Sequence, residues 1–417
     1  MLNIFASIAR ELIETFFVNY LFVFLYVIII VFIRMQYEKY NELQSGVHNW
    51  QNKSLKEITE SIVLVGLVTG FAGSFVIIAA GITIDSEAVK YLFIIMFVLL
   101  IFNIRFVCFA FPAGILAIIS LVFGYPKVDV ASVLGLAAIM HLIESILIFM
   151  NKGKDSIPVF IKHKGEIAGA YLIRKFWPVP VVFMTFVMQN AVNGGSTLIP
   201  NGWGTLFGPQ SMEAGALALG LDCVVAVLCY SDLAVTKHPE QKSRQAAFLI
   251  FSYSLILFAI ALVSTVVPWL RYVGAVFCIA GRESITIYGR YVEKTGIPLF
   301  AQTRRGLKVM DILPKSHAEL MGMQRGDTIL NVNGKDIQTE EGVIEALKDY
   351  PVFAWIQVIG WDGKDKTYEY KCYPEGFNNL GIVPVPRERE VTYNTDNFEH
   401  MSILKNIVSR FRNMNRV

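Results

Sequence analysis

The residues best placed for chemistry are ionisable groups inside strongly apolar stretches: Arg105, His141, Glu144 and Asp222. His141-Leu142-Ile143-Glu144 sets an imidazole and a carboxylate on one helix face, because residues three apart are neighbours there. Such groups are costly in hydrocarbon and normally face protein or water. Two uses fit them. One is a proton or ion path, or a bound polar ligand. The other is a buried polar cluster that locks helices together, with Arg105 paired to Glu144 or Asp222, and it asks less of the sequence.

Catalytic signatures are missing. A zinc site of the His-Glu-x-x-His kind needs a second histidine one turn on, and His141 with Glu144 supplies only two ligands. No Gly-x-Ser-x-Gly, Walker A or Gly-x-Gly-x-x-Gly stretch occurs in the sequence. The six histidines are scattered, and the five cysteines are isolated, with Cys223 and Cys229 too far apart in phase to share a helix face. The expectation is a protein that is not an enzyme and holds no metal or cofactor.

The elements that must position these groups are membrane spans. Hydrophobic residues make up 54% of the 417, charged residues only 17%, and the mean hydropathy is +0.50. A soluble chain carries about 45–50% apolar and about 25% charged residues. The apolar excess lies before about residue 285, in runs near the roughly 20 residues needed to cross a bilayer. These runs are Phe16–Ile33, Ile62–Ile84, Tyr91–Ile104, Phe106–Tyr125, Val130–Met150, Pro178 to Pro200, Trp203–Tyr230 and Ala246–Leu270. Thr265–Gly281 is a ninth stretch that could be re-entrant. Gly66, Gly70 and Ser74 recur every four residues in the second run, which allows close helix approach. Arg105 interrupts a hairpin of two spans, and Pro112 can bend the second arm.

Loop charges set the orientation. Arg34–Glu60 holds Arg34, Lys39, Lys53 and Lys56. Asn151–Trp177 holds Lys152, Lys154, Lys162, Lys164, Arg174 and Lys175, and Ser231–Gln245 holds Lys237, Lys242 and Arg244. The alternate loops hold only Lys90 and Lys127. The basic loops therefore face the cytoplasm, with the N-terminus outside. The first apolar run has no small-residue cleavage site after it and reads as a retained anchor. A net charge of +3 gives no reason to expect a nucleic acid.

From about Thr303 the pattern becomes that of a water-soluble α+β module. Gly306–Leu313 alternates like a strand, and Pro314–Met323 passes from a turn into a short helix. Asp327–Val332 alternates again and ends in Asn333-Gly334, a strong hairpin signal. Thr339 caps a helix running to Lys348, and Val352–Trp361 with Lys366–Tyr373 forms a closing hairpin around Asp362-Gly363.

This order, and above all the run Ser316, Ala318, Gly322, Gly326-Asp327 and Asn333-Gly334, resembles a PDZ domain of the bacterial, circularly permuted kind. The resemblance implies capture of a partner's chain end by strand addition and backbone amides. It places the docking strand at Gly306, Leu307, Lys308, Val309, Met310 and Asp311, and the opposite wall at Glu340, Ile344 and Leu347. Lys308 stands where many members have glycine.

The expected division is a membrane domain over 1–285, a linker over 286–302, the PDZ domain over 303–378, a second linker over 379–399, and a basic amphipathic tail over 400–417. In the tail, Leu404, Ile407, Val408, Phe411 and Met414 form an apolar stripe beside Lys405, Arg410, Arg412 and Arg416. The fold expected is an all-α multi-spanning bundle of about eight segments followed by an α+β PDZ domain.

As a whole the chain resembles the MinJ-type topological determinants of cell division in Gram-positive bacteria. Phe106-Val107-Cys108-Phe109, Ser120–Pro126, His141–Glu144, Pro158–Lys162 and Phe176-Trp177-Pro178 look like that family's membrane segments. The resemblance implies a non-enzymatic adaptor in the bacterial cell membrane, with its PDZ domain cytoplasmic. It would link a DivIVA-type polar scaffold to division inhibitors of the MinC and MinD type, with the bilayer as its other partner; a homo-oligomer is compatible. Two alternatives stay open: an accessory of a membrane protease, and a transporter using the His141/Glu144 region.

Overall fold

The computed structural model describes residues 2–47, 54–188, 206–207, 217–349, 352–373, 376–377 and 379–387. The tail expected over 400–417, His48, His400 and the outer parts of the expected sixth and seventh spans lie outside them.

Six helices come first: α1 (Leu2–Val18), α2 (Tyr20–Val47), α3 (Leu55–Ala79), α4 (Ser86–Phe102), α5 (Ala110–Phe123) and α6 (Val130–Asn151). Strands β1 (Ile157–His163), β2 (Glu166–Met188) and β3 (Leu217–Ala234) follow, then helices α7 (Pro239–Val266) and α8 (Leu270–Thr295). The described residues continue with β4 (Phe300–Ala301), β5 (Leu307–Ile312), α9 (His317–Leu320), β6 (Thr328–Val332), β7 (Lys335–Asp336), α10 (Glu340–Lys348), β8 (Phe353–Ile359), β9 (Asp365–Lys371) and β10 (Ile382–Pro384).

Among the described residues, four helices are long and apolar enough to cross a membrane: Tyr20–Glu42 within α2, Leu55–Ala79, Val130–Asn151 and Pro239–Val266. The all-α expectation fails in the middle of the chain. Over residues 178–188 and 217–230 the sixth and seventh expected spans are strands: β2 and β3 pair antiparallel from Tyr171↔Ala234 to Met188↔Leu217.

The misreading has a physical cause. A strand buried on both faces loses the polar alternation that identifies strands and reads as a continuous apolar run. Here Ile173, Trp177, Val179, Val181 and Phe183 pack into the cluster built by α5, α6, α7 and α8. The even-numbered Leu172, Phe176, Val182 and Met184 pack instead with residues of α1 and α2. The sheet is thus a partition between two groups of helices.

An exposed strand edge cannot persist in hydrocarbon, so every N–H and C=O there needs a partner or must be absent. Helix α3 covers the edge of β2 that turns away from β3. A Cβ on Gly66 would stand 2.1 Å from the Pro178 carbonyl oxygen, and one on Gly70 the same distance from that of Pro180. The small residues spaced by four therefore admit a strand, not another helix. Pro178 and Pro180 bring no N–H to this edge, and proline is tolerated in a strand for that reason only there. The next N–H, that of Val182, donates to Ser74 Oγ at 2.8 Å, while Ser74 Oγ donates to the Gly70 carbonyl at 2.6 Å.

Other details also shift. The turn at Ile104–Val107 breaks α4 from α5 at Arg105 as the sequence suggests, but Pro112 lies in the first turn of α5 and bends nothing. The basic stretch Asn151–Trp177 is largely strand, with Arg174 and Lys175 buried. Helix α8 continues to Thr295 through the expected linker, and β10 joins the second sheet beyond the expected end of the PDZ module.

That second sheet runs β10-β5-β6-β8-β9, with β7 on β6. Its core gathers Leu307, Val309, Ile329, Val343, Leu347, Ile356 and Ile382. Asn333, at φ +50°, makes the β6–β7 turn and also receives the Trp355 N–H at 2.8 Å. The module is seated on the first sheet: β4 pairs with β2 at Ala168–Gly169, Tyr171 Oη donates to the Met310 carbonyl at 2.7 Å, and Val383 and Val385 join the larger core.

Candidate functional site

Two sites require placement: the groove of the C-terminal module and the polar cluster between the helices. In the module, β5 is an interior strand. Leu307 and Lys308 pair with Ile329 and Thr328 of β6, while Val309, Asp311 and Ile312 pair with β10. The Val309 N–H donates to the Asp327 carbonyl, and the Lys308 carbonyl accepts from the Val385 N–H. An incoming chain cannot add to a strand bonded on both sides, so Gly306–Asp311 does not offer the docking edge that the resemblance placed there.

Each of those residues has another task. Gly306, at φ +83°, leaves no room for a Cβ, which would stand 2.6 Å from the Ile329 carbonyl oxygen. Leu307 and Val309 are core, and Met310 faces the membrane domain. Asp311 Oδ1 accepts from Arg325 Nε at 2.6 Å. Burial raises the Asp311 pKa above the usual carboxylate range, and the Arg325 charge opposes that rise. Burial likewise lowers the Lys308 ammonium, which sits mid-sheet rather than in a carboxylate loop.

Among the described residues, the open edge on this side of the sheet belongs to β10. The Gly381 carbonyl accepts from Leu313 N–H at 2.8 Å and Val385 N–H points back to β5, so the alternation turns Ile382 outward. Pro384 comes next on that side and carries no N–H. Gly381 has φ +73°, and a Cβ there would stand 2.3 Å from that of Ser316, so this turn needs glycine. It brings the Leu380 carbonyl onto the Ala318 N–H at the start of α9. Leu380 and Ile382 share a cluster with Val343 and Leu347 of α10, while Glu340 and Ile344 are half-buried along that helix. Helix α10 therefore packs with the edge strand β10, not with an edge at β5 as expected. Gly381–Pro386 falls within the second linker expected from the sequence. The pattern Ile-Val-Pro-Val-Pro, with proline at alternate positions, carried the edge-strand signal.

The polar cluster forms in part. His141 Nδ1 lies 2.8 Å from Glu144 Oε2, and Arg282 donates to Glu144 Oε1 at 2.8 Å. Cys108 Sγ sits 3.7 Å from His141 Nε2. Arg105 pairs with Glu283, not with Glu144 or Asp222. Asp222 stands apart on β3, its carboxylate accepting from the Cys223 N–H. Glu144 is thus held between the His141 imidazole and the Arg282 guanidinium, partners that a carboxylate buried inside protein requires. Arg282 was the member missed, because only α8 crossing beside α6 brings it there.

Cys108, His141 and Glu144 place one ligand atom each within 4.8 Å of one another. The carboxylate is already bonded to His141 and Arg282, so this arrangement suits an ion-paired lock better than a cation site.

Residues 308–351 match the PDZ domain family model, so the chain carries a PDZ domain. It is also similar to the cell division topological determinant MinJ of Bacillus subtilis (strain 168), at 28% identity over 124 residues. That alignment covers 29% of this chain and 31% of the relative, so it spans about a third of the relative's length.

Proposed function

We propose that this protein is a non-enzymatic, multi-pass membrane adaptor whose PDZ domain captures segments of partner proteins and recruits cell-division-site components. The supporting observation is the open edge of β10 beside α10, on a PDZ module seated directly on a domain with four span-length apolar helices. A partner segment would add to the edge at Ile382, in one register only, since Pro384 blocks extension of the ladder. The loop charges favour a cytoplasmic PDZ domain, and the similarity to MinJ favours partners such as a DivIVA-type scaffold and a MinD-type ATPase. The paired state of Glu144 speaks for a structural lock rather than a conduction path.

The test is recruitment in cells. Ile344→Trp on α10 fills the groove wall without touching the membrane domain. Loss of partner recruitment with normal membrane targeting is expected; unchanged recruitment would sink the groove reading. Labelling of Cys372 from outside intact cells would overturn the cytoplasmic placement.

A further inference from the structure

Away from the PDZ groove, a cavity of about 140 Å³ opens between β2, β3, α7 and α8 and the turn after α4. Its walls are of two kinds. Arg105, Arg174, Lys242, Arg282 and Arg290 face it, with Asp232 as the one carboxylate among the lining residues. Carboxylates that pair with three of these cations, Glu144 with Arg282, Glu283 with Arg105 and Glu293 with Lys242, reach them from outside the lining. The lining itself therefore carries more cations than carboxylates, with acids that pair with three of those cations set behind it. Among the described residues Arg282 Nε, on this lining side chain, is buried with no hydrogen-bond partner, and a buried guanidinium N–H left unused is costly. Phe111, Phe176, Leu249 and Ile250 supply the apolar part.

The cavity lies at the level where membrane chemistry changes. Helix α7 begins with Glu240, Lys242 and Arg244 and turns apolar from Ala246 onward. Lys242 and Gln245 line the cavity beside Ala246, Leu249 and Ile250. The same wall thus passes from polar to apolar within two turns, as the headgroup boundary of a bilayer does. Outside, Phe102, Phe248 and Ile287 are exposed and apolar.

We propose that this cavity binds a phosphate-bearing anion, the headgroup of an anionic phospholipid, with Arg174, Arg282 and Arg290 on the phosphate oxygens and the apolar wall along the start of an acyl chain. Guanidinium groups suit this because each presents several N–H donors to oxyanions in a fixed fork, and basic pockets between membrane helices take such headgroups. The adaptor would then be sensitive to the lipid composition of the membrane that holds it.

The test uses the full chain purified in detergent, with thermal unfolding followed on adding phosphatidylglycerol, phosphatidylcholine or inorganic phosphate. Phosphatidylglycerol should raise the midpoint selectively. The double variant Arg174→Gln/Arg290→Gln should weaken that response at least about tenfold in lipid concentration, given the strength of charge-assisted hydrogen bonds. Arg244→Gln, exposed and paired only within α7, should respond as the wild type does. Stabilisation by inorganic phosphate alone would keep the phosphate site and assign it to a soluble source. A wild-type protein that distinguishes none of the three additives overturns the proposal, and so does a folded double variant with an undiminished response. The comparison on the wild type, with mass spectrometry of lipid retained through purification, decides the matter even where the variant fails to fold.

Discussion

The sealed edge of β2 makes the sharpest demand on the structure. Consider Gly70→Ala. Its new Cβ would stand 2.1 Å from the Pro180 carbonyl oxygen, where ordinary contact begins at 3.4 Å. Helix α3 must therefore retreat by more than an ångström, because the obstacle is backbone and cannot rotate away. Overpacking of this kind costs about 1–3 kcal/mol. The retreat also stretches the 2.8 Å bond between the Val182 N–H and Ser74 Oγ, and a buried donor left unpaired costs about 1–3 kcal/mol more. The expected loss is about 2–6 kcal/mol for Gly70→Ala, against about 1–3 kcal/mol for Ser74→Ala, which removes only the hydrogen bond. Pro180→Ala separates the strand from a helix most cleanly. In a strand it creates an N–H facing a helix with no free acceptor, destabilising by about 1–3 kcal/mol. Were the segment a spanning helix, the same change would stabilise by about 3 kcal/mol. Unfolding of the full chain in detergent, followed by circular dichroism, reads all three. A Pro180→Ala protein more stable than wild type, or a Gly70→Ala protein indistinguishable from it, would refute the edge-sealing account.

Two further outcomes follow from the charged groups. Glu144→Gln leaves Arg282 buried without its counter-charge and should cost about 3–5 kcal/mol; adding Arg282→Met should recover much of that loss, and strictly additive losses in the double variant would show that the two do not form a unit. Asp311 binds its proton more tightly in the folded chain than in the unfolded one, because burial outweighs Arg325. Its contribution to stability is therefore fullest below the unfolded value, about 3.9, and is lost as pH rises through the higher folded value. Asp311→Asn should flatten that decline, seen as a smaller drop in unfolding midpoint as pH rises from about 3.9; an unchanged slope would remove Asp311 from the account.

The sequence carried the local chemistry of the PDZ module almost completely. Asn333-Gly334 makes its turn because asparagine and glycine accept positive φ, Thr339 caps α10 through the Gly342 N–H, and Val343 and Leu347 face inward as their spacing requires. These are short-range outcomes. The His141–Glu144 contact was legible for the same reason, since helical periodicity alone brings the two side chains together.

Pairing between distant parts of the chain was not legible. Arg282 lies 138 residues from Glu144, and no pattern near either residue names the other. The edge strand was misplaced because a permuted sheet closes with its last strand, and whether β5 or β10 lies at the edge depends on which of them the chain end covers.

The membrane half divides along the same line. Hydropathy by itself determined that residues before about 285 must be buried in protein or lipid, because water penalises apolar surface whatever conformation the backbone adopts. It could not decide between helix and strand for residues 166–188 and 217–234, since a strand covered on both faces presents the same unbroken apolar run as a span. Only the tertiary structure settled that, by supplying α3 with glycines to fit the strand's carbonyls and a serine to satisfy its remaining donor. A buried backbone needs each polar group matched, and the partners that match these come from a helix about a hundred residues earlier in the chain.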